Sequence, residues 1–198
     1  MVAAEAGADA IGLVLWSPSP RAVDLSLAAR IRKVLPPFVS VVVLFVNPQK
    51  DEVNAAISAV NPDVLQFHGD ESEAFCRSFG LPFLKALGVR GETELQALMQ
   101  DYPSAQGLLL DRYDPERVGG TGEVFDWDAV PREHQQRLVV AGGLSAENVS
   151  EAITTLRPWA VDVSSGVESS PGKKLEHKID SFCMAVRTAD AKLAAKSL

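Results

Sequence analysis

The chain has 198 residues, 46% of them apolar and 23% charged, which is material for one sizeable hydrophobic core. A formal charge of −7 offers no basic footprint for nucleic acid or an anionic membrane, and no apolar run approaches the ~20 residues of a membrane span. The two cysteines, Cys76 and Cys183, lack the spacing of a metal site or disulfide framework and read as buried small hydrophobes of a cytoplasmic protein.

Met1–Ala6 reads as the last turns of a helix, with Gly7 as its C-terminal glycine and Ala8–Asp9 turning into a strand. Seven short apolar runs then recur as strands: Ala10–Leu15, Val39–Val46, Val64–His68, Pro82–Leu87, Gly107–Asp111, Arg137–Ala141 and Ala160–Val163. Their near-continuous hydrophobicity is what strands covered on both faces require. Helix periodicity fills the intervals. Leu27, Ile31, Val34 and Leu35 follow an Asp24 cap, and Val53, Ala56, Ile57 and Val60 follow Asn47 as cap and Pro48 as first helical residue. Asp70 with Glu73 resembles a capping box, and Val149, Ala152, Ile153 and Leu156 follow a Ser145 cap.

No linker interrupts this alternation, so the expected organisation is one α/β domain over residues 1–198 with a parallel sheet. A period of roughly 25 residues, and polar residues gathered after many strands, favour a (β/α)₈ TIM barrel over an open sheet. A barrel does not open on half a helix. One strand and the start of its helix are therefore expected to be missing ahead of Met1.

Candidate chemistry gathers after the strands. Gly142–Gly143, and Ser164–Ser165–Gly166 one unit later, follow the last two strands, where barrels build phosphate sites; the alternative is that these glycines only permit tight turns. Asp111 closes Leu108–Leu110, and its partial desolvation at a barrel mouth suits a general acid, or else it is a structural carboxylate. The glycine-rich Val118–Gly122 that follows is either a loop that closes over substrate or a simple connection. Arg21, after Ser17-Pro-Ser-Pro20, suits bidentate capture of a carboxylate or plain solvation; His68 suits a base, a hydrogen-bonding wall or a structural role.

In this order, several segments resemble the phosphoribosylanthranilate isomerase family across nearly the whole chain. They are Ala6-Gly-Ala-Asp-Ala-Ile-Gly12, Ser17-Pro-Ser-Pro-Arg21, Leu35-Pro-Pro-Phe38, Phe45-Val-Asn47, Leu65-Gln-Phe-His-Gly69, Gly119-Gly-Thr-Gly122 with Phe125-Asp-Trp127, Ala141-Gly-Gly-Leu144, and Val161–Glu168 with Pro171-Gly-Lys173. The resemblance implies a TIM barrel that performs an Amadori rearrangement of N-(5-phosphoribosyl)anthranilate to a 1-deoxyribulose phosphate in tryptophan biosynthesis. It implies Asp111 as general acid, Arg21 as ligand of the anthranilate carboxylate, and Gly143, Ser165 and Gly166 as the phosphate site, with Gly142 and Ser164 adjoining. It implies no metal or organic cofactor. The expected partner is a phosphorylated small molecule, with no nucleic acid and no membrane, and the expected state is a monomer or homodimer. The family's general base is a cysteine in a Lys-Ile-Cys-Gly-Ile-Thr-like motif on the first strand, which neither Cys76 nor Cys183 matches. The other readings of the same residues are a barrel that binds phosphate and carboxylate without turnover, or another phosphosugar barrel enzyme.

Overall fold

A computed structural model describes residues 1–89, 92–112, 127, 130 and 137–196. The described chain forms two compact units: Met1–Ala86 with Tyr102–Gln106, and Leu87–Asp101 with Gly107–Leu198.

The first unit begins with α1 (Val2–Ala6), closed by Gly7 at φ 94° as the sequence suggests. Strands β1 (Ala10–Val14), β2 (Ser40–Phe45), β3 (Val64–Phe67) and the start of β4 (Phe83–Val89) pair in that order, all parallel. Register aligns Val14 with Leu44, Phe45 with Phe67, and Phe67 with Lys85, so the strands finish at one level. Val41, Val43, Phe45, Leu65 and Phe67 are buried, and α3 (Lys50–Val60) closes over the sheet with Val53, Ala56 and Val60. Phe67 is the hub of an aromatic cluster, with ring centroids 5.9–6.2 Å from those of Phe45, Phe75, Phe79 and Phe83. The predicted apolar stripe of α2 (Leu25–Val34) is less buried than its spacing suggests: Ala28 is its buried residue and Val34 is 60% exposed.

Two predicted caps of this unit are corrected. Gln49, not Asn47, is the N-cap of α3, and its N–H donates to Glu52 Oε2 at 2.7 Å. Asn47 instead takes left-handed backbone (φ 48°) and accepts the Asp70 N–H on Oδ1 at 2.7 Å. Asp70 does not cap α4 (Glu73–Arg77), which is capped by the Ser72 hydroxyl accepting the Phe75 N–H. Asp24 does cap α2, accepting the Leu27 N–H at 2.7 Å.

In the second unit, β5 (Gly107–Arg112), β6 (Leu138–Val140) and β7 (Ala160–Val161) are again parallel and successive, with Leu110 opposite Val140 and Val140 opposite Val161. Helix α5 (Glu92–Gln100) precedes β5. Helix α6 (Val149–Leu156) buries all four residues of its predicted stripe. Its N-cap position is Asn148, one turn later than the predicted Ser145, which instead heads the turn leading into the helix. A short antiparallel hairpin, β8 (Glu168–Ser170) with β9 (Lys173–Lys174), turns through Gly172 at φ 81° before α7 (Glu176–Lys196). Among the described residues, no helix is long and apolar enough to cross a membrane.

Candidate functional site

The second unit gathers the strand ends around one cleft. Leu108, Leu109 and Leu110 are almost wholly buried, and Asp111 emerges from them only 8% exposed. The Ala141 N–H donates to the Leu110 carbonyl at 2.8 Å, and the Asp162 N–H donates to that of Val140 at 2.8 Å. The chain therefore leaves β6 and β7 at the level of Asp111. Asp111, Gly142, Gly143, Asp162, Ser164 and Ser165 all line the cleft. The sequence placed five of these six at a site, all but Asp162.

Local chemistry explains the shape. Gly142 and Gly143 are both left-handed, at φ 74° and 66°, a succession that residues with a Cβ adopt only at considerable cost. The Asn148 side chain then fixes the loop from behind. Its Nδ2 donates to the Gly143 carbonyl at 2.9 Å, and its Oδ1 accepts the Ser145 N–H at 2.8 Å. Because a trans peptide points its two polar groups oppositely, holding the Gly143 carbonyl turns the Leu144 N–H the other way.

Gly166 joins this loop to the next. A Cβ built there would fall 2.0 Å from the Leu144 carbonyl oxygen, so the loops after β6 and β7 meet backbone to backbone. Ser165–Val167 forms one 3₁₀ turn, with Ser164 at its N-cap position. Amides at the start of such a turn have no partner within it.

The hairpin braces these small residues from outside. Lys174 Nζ donates to the Ser164 carbonyl at 2.8 Å and pairs with Glu168 Oε1 at 3.0 Å. The same oxygen accepts the Gly172 N–H at 3.2 Å. Sequence reasoning missed Asn148, Glu168 and Lys174 as supports of the site. The Gly172 turn and the lysines beside it were the available signal.

The first unit supplies the other two predicted site residues. The Arg21 N–H donates to Ser19 Oγ at 3.2 Å, and the Val23 N–H donates to the Val14 carbonyl at 2.9 Å, which ties the Ser-Pro loop to the end of β1. The His68 N–H donates to the Phe45 carbonyl at 2.8 Å, while its Nδ1 lies 3.3 Å from Gln66 Nε2. Which of the two donates in that contact depends on the tautomer of the ring. Arg21 and His68 each follow the C-terminal end of a parallel strand, as do the cleft residues of the second unit.

Cys76 lies buried in α4, where burial pushes its thiol up to about 12, leaving it a neutral thiol near pH 7. Cys183 is on α7, and neither cysteine lines the cleft. Among the described residues, no group of three or more His, Cys, Asp or Glu side chains is arranged to hold a metal ion. Val118–Gly122 lies outside the described residues.

Parallel strand–helix units with their polar residues at the C-terminal strand ends define a protein of the α/β class, whose sites form at those ends. The comparisons with known proteins agree. Residues 1–185 match the family described as N-(5'phosphoribosyl)anthranilate (PRA) isomerase. An N-(5'-phosphoribosyl)anthranilate isomerase of Pseudomonas putida strain W619 is 51% identical over 189 residues, covering 96% of this chain and 92% of the relative. The crystal structure of the phosphoribosyl anthranilate isomerase from Thermotoga maritima superposes with a TM-score of 0.87 at 38% identity, covering 94% and 92% of the two chains. Another such isomerase, crystallised with reduced 1-(o-carboxyphenylamino)-1-deoxyribulose 5-phosphate, gives a TM-score of 0.80 at 35% identity, covering 94% and 91%. The chain belongs to the N-(5'-phosphoribosyl)anthranilate isomerase family and has its TIM-barrel type of fold.

Proposed function

We propose that the chain isomerises N-(5'-phosphoribosyl)anthranilate to 1-(o-carboxyphenylamino)-1-deoxyribulose 5-phosphate in tryptophan biosynthesis. The amides around Gly143, Ser165 and Gly166, adjoined by Gly142 and Ser164, hold the 5-phosphate. Arg21 takes the anthranilate carboxylate, and His68 hydrogen-bonds the substrate. With both anionic ends of the substrate bound, the ribose is fixed in place and its reaction is effectively intramolecular. Asp111 gives its proton to the furanose ring oxygen as the C1–O bond breaks, and the nitrogen lone pair forms the C1=N bond of a Schiff base. A base then removes the C2 proton, and the C2–H electron pair neutralises the iminium to leave an enolamine, which tautomerises to the ketone. The rearrangement is redox-neutral overall and calls for no organic cofactor or metal. The proposed setting is the cytoplasm, as a monomer or homodimer.

The observation that carries this reading is the Gly166–Leu144 contact, which merges two amide-bearing loops into one cleft beside Asp111. The test is chromatographic detection of the deoxyribulose product with the chain and with its Asp111→Asn variant. The variant is expected to be slower by about 10²–10⁴-fold, the usual contribution of a general acid, while phosphate affinity is unchanged. A variant that retains most of the activity removes Asp111 from the role.

A further inference from the structure

A fully buried ion pair lies behind the His68 strand end, outside every role given so far. Lys85, on β4, and Glu71, after β3, are each 2% exposed in their side chains, with Lys85 Nζ 3.1 Å from Glu71 Oε2. Burying two charges is costly, and well-packed apolar side chains commonly serve stability as well or better. The bonds this pair makes indicate another use.

Most of them converge on one residue. The Glu71 carboxylate accepts the Gly69 N–H at 3.2 and 3.0 Å and the Asn47 N–H at 2.7 Å. The Lys85 ammonium donates to the Gly69 carbonyl and, at 3.4 Å, to that of Phe67. Both backbone polar groups of Gly69 are thus held by the pair, and the three donors of Lys85 are matched by three acceptors. Space is equally restricted, since a Cβ on Gly69 would fall 2.4 Å from Asn47 Oδ1. The Tyr102 hydroxyl anchors the assembly by donating to the Glu71 carbonyl at 2.9 Å, and its ring centroid lies 5.5 Å from Lys85 Nζ.

We propose that the Lys85–Glu71 pair is a positioning device that clasps Gly69 and thereby sets His68 for the substrate. This inference rests on the proposed substrate role of His68. The pair holds the peptide on the C-terminal side of His68, while the Phe45 carbonyl holds its N–H. With the backbone fixed on both sides, the Gln66 contact is left to orient the ring. A pair serving stability alone would have no need to spend its bonds on backbone beyond the strand end.

The experiment compares the chain with its Lys85→Met variant in three measurements. These are calorimetric affinity for inorganic phosphate, calorimetric affinity for reduced 1-(o-carboxyphenylamino)-1-deoxyribulose 5-phosphate, and amide hydrogen exchange without ligand. The variant is expected to bind the reduced compound at least about tenfold more weakly and phosphate within about twofold of the parent. The Gly69 amide should lose protection while Val43 and Leu65 keep theirs. If Lys85→Met does not fold, Glu71→Asp, which draws the carboxylate back by one methylene, must show the same split. Unchanged affinity for the reduced compound in a variant with a deprotected Gly69 overturns the inference, as does a parallel loss of phosphate affinity and global protection. A parent chain that binds phosphate but not the reduced compound overturns the proposed function instead, and its own exchange pattern shows whether the clasp exists.

Discussion

Replacing Gly166 by Ala is the most searching perturbation of the cleft. The added carbon would sit 2.0 Å from the Leu144 carbonyl oxygen, 3.0 Å from its carbon and 3.2 Å from Ser145 Cα. All three are backbone atoms, so no side-chain rotation relieves the clash. Ordinary carbon contacts lie at about 3.5–4.0 Å, so the two loops must part by more than about 1 Å. Overpacking of this kind costs about 1–3 kcal/mol of stability, which a chain of this size survives. Binding is expected to suffer more, because a displacement of about 1 Å in a positioned site can cost about 10²-fold. Titrating the folded Gly166→Ala variant with inorganic phosphate and with the reduced compound should show both affinities collapsing together. A folded variant that binds phosphate as tightly as the parent refutes the claim that the joined loops form the anion site.

Other expectations follow from the same structure. Arg21→Lys replaces a planar fork with a point charge and should weaken the reduced compound by about tenfold while leaving phosphate affinity unchanged; equal weakening of both ligands would contradict the assignment. Phe67→Ala removes the hub of five packed rings and should cost about 3–5 kcal/mol, read by calorimetry as a fall in Tm of roughly 10 °C; a shift under about 2 °C contradicts it. Because the Cys76 thiol is raised from 9.0 to about 12, folding favours its protonated form. Its contribution is therefore complete below about pH 9 and lost as pH rises toward 12. Urea midpoints of the parent should fall more steeply over that window than those of Cys76→Ala, and parallel curves would refute the linkage.

The seven strands were legible because each is a short apolar run whose character does not depend on distant residues. Asp111 and the Gly142–Gly143 pair were legible as cleft-lining residues because a carboxylate or glycines at the end of such a run stand out locally. The caps were not. Asn47, Asp70 and Ser145 are all good cap residues by type; a long-range bond joins the first two, and Ser145 is taken up by the local turn ahead of α6. Asn47 is committed across 23 positions to the Asp70 amide, which leaves α3 to Gln49 and α4 to Ser72. The hairpin bracing Ser164 escaped notice because strands of two and three residues carry no periodicity. Lys85 did leave a signal, as a charged residue inside the apolar run Phe83-Leu-Lys-Ala-Leu87. A charge in a buried strand demands a partner. Nothing local names Glu71 as that partner, since the two meet only when β3 and β4 pair in register.

The central claim, that the glycine loops beside Asp111 hold the phosphate of a phosphoribosyl anthranilate, is tested most directly by one calorimetric titration. The chain is titrated with reduced 1-(o-carboxyphenylamino)-1-deoxyribulose 5-phosphate in the absence and presence of saturating inorganic phosphate. One-to-one binding, weakened competitively by phosphate, is expected. Binding indifferent to phosphate, or no binding at millimolar ligand, would contradict it.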